Sequence, residues 1–166
     1  MTKIIQKVNI KKASINDSED LFSLIDALAD YEKLERPDSD AKKRFLKDAF
    51  GKNPKITPWL AEKDGKAAAY AITLYTYSSF LALPTLYLED VFVLPEYRAC
   101  GIGKSLFRHL VKLAYDEGCG RMEWQVLDWN QLAINFYEKI GAKHMKEWFT
   151  YRLDRELLKK LIKDII

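Results

Sequence analysis

Apolar and polar positions along this chain switch between two rhythms. Alternation in KVNIKKA (7–13) predicts a short strand. Asn16 or Asp17 then caps a helix in which Leu21, Leu24, Ile25 and Leu28 recur at helical spacing, fading near Leu34 ahead of Pro37. Ser39 opens a second helix through Phe45, Leu46 and Ala49, stopped at Gly51. Period two returns in 56–62 and 67–77, joined by the hairpin signal Asp64-Gly65. TLYLEDVFVL (85–94) is β-branched and aromatic on both faces, which predicts a central strand ended by Pro95. Leu106, Leu110 and Leu113 mark a helix ending near Gly118, followed by a strand at 121–127 and a helix at 130–141 stopped by Gly141. Two short strands are expected in 142–153, then a terminal amphipathic helix with Leu157, Leu158, Leu161 and Ile165 inward.

One strand–loop–helix–strand crossover sits in the middle of this series and predicts a parallel pair. The expectation is a single α+β domain, residues 1–166, around a mixed sheet. Composition supports a globular core, with 166 residues, 48% hydrophobic, 31% charged and 13% aromatic. A net charge of +3 is too mild to argue for nucleic acid as a partner. No apolar run approaches a membrane span, and the start of the chain shows no signal-peptide core. Two cysteines, Cys100 and Cys119, make no disulfide framework, so a cytoplasmic setting is expected, with no membrane partner.

The chemistry concentrates in EYRACGIGKSLFRHL (96–110). Gly103-Lys104-Ser105 suggests a Walker-type phosphate loop, but that pattern needs glycine where Arg98 stands. A dinucleotide fingerprint started at Gly101 and Gly103 needs glycine where Leu106 stands. What remains is Arg-x-x-Gly-x-Gly between a strand and a helix. Free backbone N–H groups at a helix start favour anions, and glycines let a phosphate approach. From the loop alone, a pyrophosphate cradle and a plainly capped helix start with flexible glycines both stand.

The wider context favours the cradle. LYLEDVFVLPEYRACGIGKSLFRHL followed by WNQLAINFYEKIGA resembles the two central motifs of the GNAT superfamily of N-acetyltransferases, in order and at the right spacing over 85–142. LADYEKLE in the first helix region, LYLEDVFV and DWNQLAINFYEKIGA are most similar to the diamine/polyamine (spermidine/spermine) acetyltransferases. Ala99 stands where a glycine is common in that family, at a free position of the loop pattern, so little consequence is expected. The resemblance implies a mixed, mostly antiparallel sheet whose one parallel pair splays apart, flanked by helices. It implies acetyl-CoA as cosubstrate and no metal. Val91, Phe92 and Val93 would pair with the pantetheine arm, and Arg98, Ala99, Cys100, Gly101, Ile102, Gly103 and Lys104 would hold the pyrophosphate. Asn130 and Tyr137 match positions near the cofactor arm.

The implied reaction moves acetyl to a primary amine by direct attack in a ternary complex. An alkylamine with a pKa near 10 must first lose a proton. Glu89 is the expected base, directly or through water, with Asp90 positioning it or binding the amine. Strict alternation sends these two carboxylates to opposite faces unless a bulge intervenes. The Val91 N–H is the expected oxyanion donor and Tyr137, by resemblance, the acid; its bland alternative is an aromatic packed beside Phe136. For a di- or polyamine, or a thialysine-like amine, Tyr31 and Trp129 would supply walls and Glu32, Glu89, Asp90 and Asp128 counter-charges; Glu35 is a further candidate. Helical acids such as Glu32 and Glu35 are commonly just solvated.

Rival readings are a peptide N-terminal or protein lysine acetyltransferase, and a non-catalytic CoA-binding sensor. His109 and His144 are isolated and make no metal-ligand spacing with the two cysteines. An acyl-Cys100 route lacks a nearby histidine in sequence. Final strands in this superfamily often build a dimer face, and EWFTYRL is apolar enough for a homodimer.

Overall fold

The computed structural model describes residues 8–165, with side chains to Lys163. Position 7 of the first predicted strand and the Ile165 side chain lie outside what is described. The chain forms two compact units, Met1–Gln125 and Val126–Ile166.

The first unit is a five-stranded sheet in the order β1-β2-β3-β4-β5. Its strands are β1 (Val8–Lys12), β2 (Thr57–Lys63), β3 (Lys66–Ser78), β4 (Leu83–Val93) and β5 (Arg121–Trp124). The first three pairings are antiparallel and β4 with β5 is parallel. The β2–β3 hairpin turns at Asp64 and Gly65, both at positive φ (52° and 76°), the geometry that this dipeptide favours. Three helices cover the sheet: α1 (Ser18–Glu32), α2 (Ser39–Phe50) and α3 (Ile102–Asp116). Leu21 and Leu24 of α1 pack with Leu60, Tyr70, Ile72 and Phe92. His109 of α3 stacks edge-on against Trp59, the neighbour of Leu60, so α1 and α3 cover opposite faces.

Asp17 stands at the N-cap position of α1, its carboxylate accepting from Ser14 rather than from the helix, and Asp38 rather than Ser39 caps α2, its Oδ1 accepting from the Ala41 N–H at 2.7 Å. The fifth strand is shorter than expected, ending at Trp124.

The second unit holds α4 (Gln131–Lys139) and α5 (Arg155–Ile165). The Asn130 side chain accepts from the Ala133 N–H at 3.2 Å and so caps α4. The two strands expected in 142–153 do not form; that stretch is turn and irregular chain. Its alternation needs a neighbouring strand to bury one side, and Trp148, Phe149 and Tyr151 are instead 76%, 81% and 91% exposed. The terminal helix forms, but Leu157, Leu158 and Leu161 remain partly exposed rather than turned inward.

Candidate active site

The site begins with a defect in the β3–β4 ladder. Thr73 opposes Leu88 and Ile72 opposes Asp90, so Glu89 is an extra residue without a partner. Alternation is broken there. Leu88 shares the α3 face with Thr73, whose Oγ1 accepts from Trp59 Nε1, whereas Asp90 lies on the α1 face with Ile72. Glu89, bulged out, joins Asp90 in one concavity of about 300 Å³ beneath α1 and α2, together with Lys42, Phe22 and Phe45. The two carboxylates that simple alternation separates are therefore brought together.

A neighbouring concavity of about 290 Å³ is lined by Glu32, Glu35, Tyr70 and again Asp90. The Asp90 carboxylate accepts a hydrogen bond from the Tyr70 hydroxyl at 3.1 Å. Burial pushes Asp90 up to about 6, opposed by the Tyr70 hydrogen bond and aided by the negative charges of Glu89 and Glu32. Burial also raises Glu32. Tyr70 is raised too, by burial first and then by the Asp90 charge.

Beyond Leu88, β4 continues through Glu89–Val93 with no strand on its β5 side among the described residues, because β5 pairs only with Thr85–Leu88. Val91 and Val93 are half-buried along this open edge, and Phe92 turns into the core. The chain then enters the glycine loop. Arg98 is locked: its Nε donates to the Val93 carbonyl at 3.0 Å, and its guanidinium lies 4.7 Å from the Tyr31 ring and 5.4 Å from the Phe92 ring. Arg98 thus braces the loop, and Tyr31 forms the wall of that brace.

Gly101 caps α3 at φ +81°, with open space where a Cβ would point. Gly103 sits so close to β4 that a Cβ would meet Val93 at 3.2 Å. Ile102 anchors α3 in the core, leaving its backbone for a ligand, while Cys100 and Lys104 are exposed. Ala99 carries φ +59°, a left-handed conformation that costs an alanine roughly 1 kcal/mol, so its replacement of glycine is not free. Open edge, glycine cap and an unobstructed helix start fit a pyrophosphate with a pantetheine arm running along β4.

In the second unit, Asp128 and Trp129 are exposed ahead of α4. The Tyr137 ring packs edge-on with Phe136, and burial pushes its phenol up to about 12. Sequence reasoning missed Tyr70 and Lys42. Tyr70 reads as one more apolar residue in AAAYAITLYTY, and the nearest signal was a single hydroxyl among alanines. Among the described residues, no group of three or more His, Cys, Asp or Glu is placed to hold a metal. No described helix is long and apolar enough to cross a membrane.

Residues 21–142 match the acetyltransferase (GNAT) family, and the chain belongs to it. It is an N-acetyltransferase, and acetyl-CoA is the acyl donor of its family. Thialysine N-epsilon-acetyltransferase of Mus musculus is 31% identical over 163 residues, covering 92% of this chain and 95% of that protein. Spermidine/spermine N(1)-acetyltransferase-like protein 1 of Homo sapiens is 31% identical over 159 residues, covering 90% of this chain and 23% of that protein. Among solved structures, an integron cassette protein from the mobile metagenome of V.cholerae superposes with a TM-score of 0.80 at 26% identity, covering 94% of this chain and 98% of that one.

Proposed function

We propose that the acceptor is a small primary amine, either a di- or polyamine or a thialysine-like amino acid, acetylated by direct attack in a ternary complex. The observation that carries this reading is the bulge at Glu89, which gathers Glu89 and Asp90 on one concavity beside the open edge of β4. Two carboxylates there suit a cationic amine. Lys42 borders the same concavity, but its ammonium is paired with Asp26 Oδ2 at 2.9 Å, so the pocket is left with the two carboxylates as its charges toward a substrate.

Bound along β4 and the glycine loop, acetyl-CoA supplies an activated acetyl thioester. Val91, Phe92, Val93 and the 98–104 loop hold it. Asp90, about 6 and hence ionised at neutral pH, pairs with the incoming ammonium. Glu89 takes the proton from that ammonium, directly or through water. The Val91 N–H stabilises the developing oxyanion. Tyr137, at about 12, keeps its proton at neutral pH, the state required of the acid that the family motif implies for the departing sulfur. Glu32 adds a counter-charge on the acceptor side. The exposed aromatic residues of 148–151 support a homodimer, and two free cysteines accord with the cytoplasm.

Glu89→Gln and Tyr137→Phe test the chemistry. Each is expected to lower kcat by about 100-fold or more, the scale of lost acid or base catalysis, while acetyl-CoA affinity stays within about twofold. Near-parental turnover removes that residue from the mechanism. A protein that binds acetyl-CoA and acetylates no amine is the sensor of the rival reading, and one that turns over only peptides is the peptide enzyme.

A further inference from the structure

The two concavities on the α1 side share Ile25, Pro37 and Asp90. Among the described residues, Asp90 is thus the only ionisable side chain common to both. Its Oδ2 accepts from Tyr70 Oη, and Tyr70 is fully buried. The ring packs in the core with Leu21, Leu24, Leu60 and Phe92, a job that phenylalanine would do as well. The hydroxyl is the part packing leaves unexplained, and it points at the one carboxylate both concavities reach. A bulge gives a strand local freedom that the regular ladder lacks, and Asp90 follows the bulged residue directly. A side chain there needs an outside restraint to keep one rotamer.

We propose that Tyr70 is a positioning residue for the acceptor amine: its buried hydroxyl fixes one oxygen of Asp90 and leaves the other for the substrate ammonium. The inference rests on the amine-acetylation reading above. It gives β3 a part in acceptor recognition, which the family motifs do not. Tyr70 from β3, Glu89 from β4 and Glu32 from α1 act on Asp90; Glu35, between α1 and α2, and Lys42 of α2, which is paired with Asp26, line the same concavities. Of these, Tyr70 donates a hydrogen bond to Asp90, which favours the charged carboxylate, whereas burial and the acidic neighbours favour the neutral acid. Removing the hydroxyl therefore moves Asp90 ionisation upward in pH.

The test is the pH dependence of kcat/KM for a small diamine or diamino acid in the parent, Tyr70→Phe, Asp90→Asn and the double variant. The acidic limb of kcat/KM reports essential ionisations of the free enzyme. In Tyr70→Phe that limb should move up by about half a pH unit or more, with KM for the amine rising severalfold, kcat nearly unchanged and acetyl-CoA affinity unchanged. In the Asp90→Asn background the same substitution should change nothing further. Incorporating 3-fluorotyrosine at position 70 keeps the ring and strengthens the donor, so the limb should move the opposite way even if Tyr70→Phe folds poorly. A limb that stays put in both Tyr70 variants, or a Tyr70→Phe effect that persists without Asp90, overturns the inference while leaving amine acetylation intact. A parent enzyme that acetylates no amine removes both readings.

Discussion

At the scale of the residue, two positions in the glycine loop carry opposite backbone logic. Gly101 needs its φ of +81° and faces open space, so any side chain there strains the cap and fills the space that the proposed pyrophosphate would use. Gly101→Val is expected to weaken acetyl-CoA binding at least tenfold in a direct titration; unchanged affinity contradicts the loop assignment. Ala99 holds φ +59° with a methyl group that disfavours it. Ala99→Gly relieves about 1 kcal/mol of strain and gives back part of it as unfolded-chain entropy. A rise in Tm of roughly 1–2 °C is the expected net result by thermal melting.

At the scale of the element, the loop works because it is tied to both β4 and α1 through Arg98. Arg98→Ala removes the bond to the Val93 carbonyl and the stack on Tyr31. The expected effect is a rise of about tenfold in the KM for acetyl-CoA, consistent with roughly 1–2 kcal/mol of lost bracing. Arg98→Lys should not restore it, since lysine has neither the Nε–H nor the planar face. A parental KM in both would show that the loop holds its shape without the brace. Such elements were legible in the sequence where their signals are local: the Asp64-Gly65 hairpin, the β4–α3–β5 crossover and the glycine loop each declare themselves within a few residues. The bulge at Glu89 was not, because it is a property of how β4 registers against β3, more than ten residues away. Tyr70 was invisible for the same reason, since its partner is chosen by that register. In 142–153 the alternation was legible but misleading, because a strand needs an adjacent edge that the pattern alone does not supply.

At the scale of the whole molecule, a net charge of +3 gives a cationic substrate no long-range attraction. Selection must come from the local acidic group of Glu32, Glu35, Glu89 and Asp90 around two small concavities. Under the proposed function that arrangement suits compact amines, whose charges each find a near partner. Under the proposed function this chain moves acetyl from coenzyme A to such an amine. That transfer is tested most directly by following thiol release from acetyl-CoA across a panel of diamines, polyamines, diamino acids and peptides. The expected result is release stoichiometric with N-acetylation of the small amines, and little with peptides. Thiol release with peptides alone, or with none of the panel, would contradict it.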